Sequence, residues 1–189
     1  MADPVIPITP LTVPNGETVS TTIEELEIRQ ADLSDVDAIA EAHRDSIRSI
    51  GPAFYPPADV DAWQHGLTGD VYLKAMKSGE VFFIATGKVD GTALVLGFAS
   101  DYRIEDATHG TSVYVRGMAA RRGIGTSLLR RAEADAANSG ATSIRIEASL
   151  AGVEFYKANG YTEAHRGKTR LMSGHPISCV FMWKRLGAW

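Results

Sequence analysis

The alternation of apolar and polar residues becomes regular at residue 26, and residues 26–31 alternate like a short strand. Asp32 and Ser34 follow, and their side-chain oxygens can cap the start of a helix. The next segment predicts that helix, because one stripe carries Val36, Ile39, Ala40, His43, Ile47 and Ile50. Gly51 and Pro52 end it.

The middle of the chain predicts a further helical region and then paired strands. The helical pattern runs from about residue 58 to 78, breaks at two glycines, and is restarted by Asp70 as a cap. Residues 80–103 contain two apolar runs on either side of an Asp90-Gly91 turn, which is typical of a hairpin. Gly97 is expected to form a bulge in the second of these strands.

The later part of the chain predicts a strand, a helix and a second strand in succession. Residues 109–118 and 142–149 are the strands, and Gly140 ends the helix between them. The apolar face of that helix consists of Ile124, Leu128, Leu129, Ala132 and Ala136. A short helix over residues 150–160 and two final strands over 161–166 and 176–186 complete an α/β fold with a mixed sheet.

Composition divides the chain into an arm and one domain. Four of the eight prolines fall within a threonine-rich start that cannot be helical: Pro4, Pro7, Pro10 and Pro14. We therefore predict an extended N-terminal arm over residues 1–25. With 189 residues in all, of which 44% are hydrophobic, residues 26–189 fit a single domain.

Charge and cysteine content exclude several classes of protein. A net charge of -4 argues against a general nucleic-acid or anionic-membrane binder, so neither partner is expected. No apolar run approaches the roughly 18 residues of a spanning helix, and the start does not resemble a signal peptide, so a cytoplasmic location is expected. Cys179 is the single cysteine, and we expect it to be a buried small side chain, with no metal site.

Residues 121–125, RRGIG, place two arginines and two glycines at the predicted start of a helix. Glycine lets the backbone approach a ligand, and the unpaired N–H groups and dipole of a helix start favour an anion. The loop therefore predicts a phosphate or pyrophosphate cradle. It lacks the Gly-Lys-Ser/Thr of a P-loop and the third glycine of a dinucleotide motif. The alternative is a tight strand-to-helix turn without a ligand.

Two motifs, the RRGIG loop and the later FYKANGY at residues 155–161, resemble the core of the GNAT superfamily of acetyl-CoA-dependent N-acetyltransferases. The resemblance extends more loosely over residues 26–186. It implies a single domain with a mixed, splayed β-sheet flanked by helices, acetyl-CoA as co-substrate and no metal. It also makes a homodimer a reasonable expectation.

The resemblance also implies which residues bind the cofactor. They are Val115, through its backbone, Arg121, Arg122, Gly123, Gly125, Thr126 and Ser149. One position departs from the family pattern, since Ala120 stands where the family usually has Gln or Arg. We expect the two arginines that follow to compensate, because backbone amides do most of the pyrophosphate binding in such a loop.

The second motif carries the leaving-group chemistry that the resemblance implies. Tyr156 matches the tyrosine that sits beside the thioester sulfur in the family. A phenol of pKa about 10 is suited to giving a proton to a departing thiolate of pKa roughly 8.5 to 10. The alternative is a half-buried aromatic on the short helix.

A base is also expected, because an alkyl amine of pKa about 10.4 is almost entirely charged at neutral pH. Glu147 is the first candidate, acting directly or through water, and Glu105 and His109 are the others. The alternative for Glu147 is an ion pair with Arg145 or Arg170.

Acceptor recognition is expected from the first third of the chain and from the last hairpin. The candidates in the helices are His43, Tyr55, Trp63 and Tyr72, although most of these are expected in the core. The basic stretch of the hairpin comprises His165, Arg166, Lys168, Arg170 and His175, which could equally be a solvated loop.

Together these features predict an acyltransferase that moves an acetyl group from acetyl-CoA to a primary amine of a small molecule or peptide. Transfer is expected to be direct, in a ternary complex, with a backbone N–H near Val115 stabilising the oxyanion. Two alternatives stay open: a non-catalytic acyl-CoA-binding or regulatory module, and a transferase that uses another acyl-CoA.

Overall fold

The structure, a computed structural model, describes residues 22–187. The arm was predicted for residues 1–25, and residues 1–21 of it lie outside this range. The first strand, β1, begins at Ile23, three residues before the strand predicted from the sequence. The chain is therefore already part of the sheet where the arm was expected to end.

Within the described residues, seven strands form one sheet and five α-helices flank it. The strands are β1 Ile23–Gln30, β2 Val81–Val89, β3 Thr92–Glu105, β4 Thr108–Val115, β5 Ser143–Ser149, β6 Thr162–Arg170 and β7 Pro176–Arg185. The helices are α1 Val36–Ile50, α2 Pro57–Gln64, α3 Gly69–Lys77, α4 Ile124–Asn138 and α5 Val153–Ala158. The predicted α/β fold with a mixed sheet is confirmed.

The strand order is β1-β2-β3-β4-β5-β7-β6, and β4 and β5 are the parallel neighbours. Their pairing begins at Thr108 opposite Ser143 and ends at Gly110 opposite Arg145. Beyond that point the two strands diverge, since residues 111–115 and 146–149 are not paired with each other. The sheet is thus splayed between β4 and β5, as the resemblance implied.

Helix α4 covers one face of the sheet on both sides of this gap. Its five predicted apolar residues are all buried, with Ile124, the most exposed of them, at 2%. Leu128 packs into the cluster of β2, β3 and β4, whereas Leu129 packs into the cluster of β5, β7 and α5. Each fully buried leucine stabilises the fold by about 1.5 to 3 kcal/mol, so this helix holds the two halves of the sheet together.

Helices α1 and α3 cover the opposite face. Ile39 and Ala40 of α1 pack with Tyr72 of α3 against Phe82 and Phe98 of the sheet. The stripe predicted for α1 is therefore correct, but its predicted cap is not. Asp35 is the N-cap residue and makes no side-chain cap, because its carboxylate pairs with Arg29 of β1 at 2.7 Å. Asp32 accepts from Ser34 instead, so neither of the two predicted residues caps the helix.

The turn of the first hairpin and the bulge beside it both depend on glycine. Asp90 and Gly91 have φ of 50° and 77°, which matches the predicted two-residue turn. The pairing of β2 with β3 shifts next to Gly97, as the bulge prediction required. A Cβ at Gly97 would lie 2.6 Å from the Tyr114 carbonyl oxygen, so no larger residue fits between β3 and β4.

The loop from α3 into β2 has a fixed geometry that positions Glu80. The Glu80 N–H donates to the Ala75 carbonyl at 3.1 Å, and the Gly79 N–H donates to Met76 at 3.1 Å. These two bonds, with Gly79 at φ of 94°, form a Schellman motif at the end of α3. Glu80 is consequently held at the entrance to β2, on the face that α1 and α3 cover.

Candidate active site

The gap between β4 and β5 opens into a cavity of about 570 Å³. Its walls include the free ends of both strands, the start of α4 and the start of α5. Eight of the nine predicted site residues line it: Val115, Arg121, Gly123, Gly125, Thr126, Glu147, Ser149 and Tyr156. Arg122 belongs to the same loop but lies outside that lining. We call this space the cofactor cavity.

The RRGIG loop enters α4 through unusual backbone geometry. Gly123 is the N-cap residue with φ of 79°, and Arg121 is a non-glycine residue with φ of 60°. A non-glycine residue in the left-handed region costs on the order of 1 kcal/mol or more, and such strain concentrates at ligand sites. No side chain caps the helix and its first turn holds no acidic residue, so its N–H groups and dipole favour an anion there.

The two sequence motifs meet in space at Gly125. A Cβ added to Gly125 would lie 3.2 Å from the Phe155 ring and 3.6 Å from a Val115 methyl group. Glycine at this position therefore lets α4, α5 and β4 approach closely. Because glycine has no side chain, the α4 backbone is also open to the cofactor cavity.

Asp45 of α1 fixes the chain where it leaves β4. Its carboxylate accepts from the Gly117 N–H at 3.0 Å and pairs with the Arg116 guanidinium at 3.4 Å. The Arg116 Nε also donates to the Val95 carbonyl at 2.7 Å. The end of β4 and the beginning of the anion loop are consequently anchored to both α1 and β3.

The backbone of β4 presents N–H groups to the cofactor cavity. The Arg116 N–H donates to the Leu96 carbonyl of β3 at 2.8 Å. Because N–H directions alternate along an antiparallel ladder, those of Val113 and Val115 point the other way, into the gap. Hydrogen bonding from the Val113 backbone lowers the pKa of the Tyr156 hydroxyl, which agrees with this direction. The Val115 N–H faces the cavity, where a hydrogen-bond donor was predicted.

Tyr156 lines the cofactor cavity at the gap between β4 and β5. The alternative prediction was a half-buried aromatic residue, but Tyr156 is more deeply buried than that. It is 6% exposed, and its ring packs edge-on against Phe155 and Tyr161 at 5.0 and 5.3 Å. Burial raises its pKa well above the ordinary value, and the hydrogen bond from Val113 only partly opposes this rise. The hydroxyl therefore keeps its proton throughout the neutral range.

A second cavity, of about 330 Å³, lies on the face of the sheet that α1 and α3 cover. Seven aromatic rings line it: His43, Tyr55, Trp63, Tyr72, Phe82, Phe98 and Tyr114. Glu80 and Glu147 are its carboxylates, and the β6–β7 turn closes one side with Thr169 to Met172. We call this space the acceptor cavity.

The two cavities meet across the splayed strands. Five residues line both: Trp63, Ser112, Tyr114, Glu147 and Ser149. Ser112 of β4 and Glu147 of β5 occupy matching positions, because the parallel register that pairs Gly110 with Arg145 reaches them two residues later. A molecule in one cavity can therefore touch a molecule in the other at this junction.

Glu147 is exposed at the junction and does not form the ion pairs that the sequence left open. Arg145 pairs with Glu105 at 2.9 Å, and Arg170 donates to the Gly174 carbonyl at 3.2 Å. The Glu147 carboxylate instead lies within electrostatic range of Tyr102 and Cys179, and it contributes to raising the pKa of both.

The other two candidate bases lie away from the junction. Glu105 is at the end of β3 in the pair with Arg145. His109 is buried on the α4 side of the sheet, where its Nδ1 contacts Asp101 at 2.8 Å. Neither residue lines either cavity.

The aromatic residues predicted for the acceptor side are both core and cavity wall. His43 contacts the Tyr72 hydroxyl through Nδ1 at 2.6 Å, and burial lowers its pKa to about 3. Its ring packs on Tyr114 with centroids 3.6 Å apart. The Tyr55 hydroxyl accepts from the Leu150 N–H at 2.7 Å and donates to the Ser178 carbonyl at 2.8 Å. Tyr55 thus joins the loop after α1 to β7.

The basic stretch of the final hairpin contributes Arg170 alone to the acceptor cavity. His175 contacts Asp59 at 2.7 Å, and Arg166 pairs with Glu163 at 2.9 Å. His165 stacks on Phe181 with ring centroids 4.4 Å apart. Most residues of this stretch therefore contact other side chains of the protein and do not line the acceptor cavity.

Sequence reasoning missed Glu80, Ser112 and Tyr114. Ser112 and Tyr114 occur in a segment that was predicted correctly as a strand, but the pattern gives no sign of which face meets a cavity. Glu80 follows the Gly79 helix end, and a glycine before an apolar run is the one local signal that could have marked this position.

Three further observations concern the cysteine, membrane-spanning helices and metal-binding groups. Cys179 is 3% exposed and free, as predicted, and burial raises the pKa of its thiol. Within residues 22–187, no helix is long and apolar enough to cross a membrane. In the same part of the chain, no three His, Cys, Asp or Glu side chains come together as a metal site would need.

Comparison with known proteins gives a family match and related folds. Residues 78–163 match the family model described as an acetyltransferase (GNAT) domain. No curated protein matches the sequence significantly. The matched range includes both sequence motifs, β2 to β5, α4 and α5.

Three solved structures share the fold at low sequence identity. A GCN5-related N-acetyltransferase from Rhodopseudomonas palustris is 23% identical with a TM-score of 0.71, over 87% of this chain and 98% of that one. The PaiA N-acetyltransferase from Thermoplasma acidophilum, in complex with coenzyme A, is 20% identical with a TM-score of 0.68, over 86% and 99%. A ribosomal-protein-alanine N-acetyltransferase from Brucella melitensis is 21% identical with a TM-score of 0.62, over 85% and 99%. Residues 78–163 therefore match an acetyltransferase (GNAT) domain, and most of the chain shares its fold with solved N-acetyltransferases.

Proposed function

We propose that this enzyme transfers an acetyl group from acetyl-CoA to the primary amine of a small molecule, directly, while both substrates are bound. The observation that carries the proposal is the junction, where Ser112, Glu147 and Ser149 line both cavities. An amine in the acceptor cavity and a thioester in the cofactor cavity would be in contact there. Such positioning removes much of the entropic cost of bringing two reactants together.

The loop before α4 fits the pyrophosphate of coenzyme A. Gly123 and Gly125 expose the helix start, and Arg121 lines the cavity with its positive charge. The N–H groups that β4 turns toward the gap suit the amide-bearing arm of the same molecule. We propose that Arg122, Thr126 and Ser149 complete this site, and that the Val115 N–H stabilises the charge that develops on the carbonyl oxygen.

Tyr156 is the proposed proton donor to the departing thiolate. Its raised pKa keeps the hydroxyl protonated, and its place at the bottom of the gap brings it to the end of the cofactor cavity. A protonated phenol in a dry site stabilises a thiolate first by hydrogen bonding and then by giving up its proton.

Glu147 is the proposed acceptor of the amine proton. It is a carboxylate at the junction whose two predicted arginine partners are engaged elsewhere. Its charge also attracts an ammonium group from solvent toward the thioester. We expect it to act directly or through one water molecule.

The acceptor cavity favours a compact amine with an apolar or aromatic body. A volume of about 330 Å³ lies at the lower end of the range for small-molecule sites. Its seven rings suit an apolar group, and the two carboxylates suit one or more positive charges. These features support a small-molecule acceptor over a protein segment.

The experiment is an assay for thiol release and acetylated product with purified protein, acetyl-CoA and a panel of amines. The panel contains arylalkylamines, aliphatic diamines, amino acids and a short peptide. We expect thiol and acetylated amine to appear in equal amounts with at least one compact amine. Coenzyme A binding without product from any amine would reject the enzymatic proposal and favour a non-catalytic binding module. Comparison of acetyl-CoA with longer acyl-CoAs tests the choice of acyl group.

A further inference from the structure

A row of polar groups crosses the floor of the acceptor cavity from one carboxylate toward the other. Glu80 stands at the entrance to β2, Ser100 lies on β3, and Ser112 lies opposite Ser100 on β4. The two serine Oγ atoms are 3.0 Å apart. Hydrogen bonding from the Ser100 side chain also lowers the pKa of the Glu80 carboxyl group, against the effect of burial. Glu147 follows on β5, across the gap.

The row crosses a wall that is otherwise aromatic. Ser100 is fully buried between the positions of Phe98 and Tyr102 on β3. A buried hydroxyl needs its hydrogen-bond partners, and Glu80 and Ser112 supply them. Within this row, Ser112 lines both cavities, so the row ends where the amine and the thioester would meet.

The donors and acceptors in this row can be arranged in one direction only while Glu80 is ionised. A carboxylate has no proton, so Ser100 must donate its single hydroxyl hydrogen to Glu80. Ser100 then has none for Ser112, which must donate to Ser100 instead. The Ser112 oxygen is left with free lone pairs at the junction. It is therefore an acceptor that faces the position of the reacting amine.

We infer that Ser112, Ser100 and Glu80 form a proton relay that removes the proton of the acceptor ammonium. The inference rests on the proposed function. It gives the amine proton a second route, through buried groups, besides the route through the exposed Glu147. Ser112 takes the proton from nitrogen as its own hydroxyl hydrogen passes to Ser100, and the Ser100 hydrogen passes to a Glu80 carboxylate oxygen. The amine becomes neutral, Glu80 becomes a carboxylic acid, and every hydrogen bond of the row reverses.

The surroundings of Glu80 suit the end of such a path. Burial raises its pKa, the negative charge of Asp101 adds to that rise, and the bond from Ser100 opposes it. Tyr72 and Tyr102 are the other titratable groups that face it, and both stay protonated because burial raises their pKa values. Glu80 is partly exposed and can return the proton to solvent after product release. The Schellman motif before it fixes its distance from β3.

Two measurements test the relay. The first is an NMR titration of the Glu80 carboxyl carbon in the whole protein, assigned by the signal that Glu80→Gln removes. Ser100→Ala takes a donor away from the carboxylate, so the Glu80 pKa should rise further. An unchanged or lowered pKa would mean that Ser100 does not donate to Glu80, and would overturn the relay without any need for turnover.

The second measurement is the pH profile of kcat/KM with an amine that wild type acetylates. In a Glu147→Gln background, the relay is the only proposed route for the proton. Adding Glu80→Gln or Ser112→Ala there should remove the acid limb, which is the fall of kcat/KM toward low pH. It should also lower kcat/KM by about a hundredfold or more. Ser112→Thr keeps a hydroxyl and should retain the profile of the Glu147→Gln background. Ser143→Ala is the matched control, because Ser143 contacts the Thr108 hydroxyl at 3.1 Å and lines neither cavity.

The outcomes separate the relay from the proposed function. If wild type acetylates the amine and both Glu80→Gln and Ser112→Ala leave the acid limb in place, the relay is wrong and the enzyme proposal stands. If wild type releases no thiol with any amine of the panel, the proposed function fails and the relay fails with it.

Discussion

The stability of this protein should depend on pH through one buried histidine. His43 is 9% exposed, lies against Tyr114 and Phe98, and has its pKa lowered to about 3 by burial. The nearby positive charge of Arg44 lowers it further. In the unfolded chain the same imidazole titrates at its ordinary pKa of 6.5. The folded state therefore holds His43 neutral where the unfolded state would protonate it.

The sign and size of the effect follow from this difference. A histidine whose folded pKa is depressed contributes fully above the unfolded pKa and loses its contribution as pH falls toward the folded pKa. The window runs from 6.5 down to about 3. At pH 5, about 1.5 units below the unfolded value, the loss is about 2 kcal/mol.

The assay is urea unfolding of wild type and His43→Phe at pH 8 and pH 5, with the free energy of unfolding taken by linear extrapolation. Wild type should lose about 2 kcal/mol more than His43→Phe between the two pH values. Tyr72→Phe is the control, because it removes the hydrogen-bond partner of His43 but keeps the buried imidazole. It should be less stable than wild type at both pH values and keep the wild-type pH dependence.

Equal losses for wild type and His43→Phe would show that His43 does not cause the pH dependence. That result would mean that His43 is protonated in the folded protein, with water or a carboxylate beside it. The acceptor cavity would then carry a second positive charge besides that of Arg170, and its preference for a cationic amine would be weakened.

Three further predictions concern the site and its glycines. Tyr156→Phe should lower kcat by about a hundredfold and leave the affinity for coenzyme A unchanged. Tyr161→Phe is the control and should keep the wild-type kcat, because Tyr161 lines neither cavity. Equal kcat values for the two variants would mean that Tyr156 is not the proton donor. Gly125→Val should weaken the binding of coenzyme A, measured by calorimetry, by about tenfold or more. The reason is that a Cβ at this position would lie 3.2 Å from the Phe155 ring. Unchanged affinity would mean that the cofactor binds elsewhere. Gly97→Ala should destabilise the fold by about 1 to 3 kcal/mol in urea unfolding, because its Cβ would lie 2.6 Å from the Tyr114 carbonyl oxygen; wild-type stability would contradict the close strand approach.

The features that could be predicted from the sequence are those set by neighbouring residues. The apolar face of α4, its glycine end and the Asp90-Gly91 turn all follow from local spacing, and all are observed. The cap of α1 was predicted wrongly because Ser34 donates to Asp32 ahead of the helix, and Asp35 is the N-cap residue instead. Arg29 of β1 draws the Asp35 carboxylate into an ion pair, and no local pattern records that contact.

The candidate site could be predicted in part for the same reason. Tyr156 and the RRGIG loop belong to contiguous motifs, so their neighbours in sequence identify them. The junction depends instead on which residues face each other across β4 and β5, as Ser112 and Glu147 do. Glu80 reaches the acceptor cavity only because the sheet places β2 beside β3 and α3 above both. Such relations are set by tertiary packing and register, which a single sequence does not display.

Direct transfer requires that an amine and acetyl-CoA meet at the junction of the two cavities. The decisive measurement is the initial rate of acetylated amine formation while both substrate concentrations are varied. Product and free thiol should form in equal amounts, and the double-reciprocal lines should intersect, as a ternary complex requires. Parallel lines with an acetylated protein, or thiol release that does not depend on the amine, would rule out direct transfer.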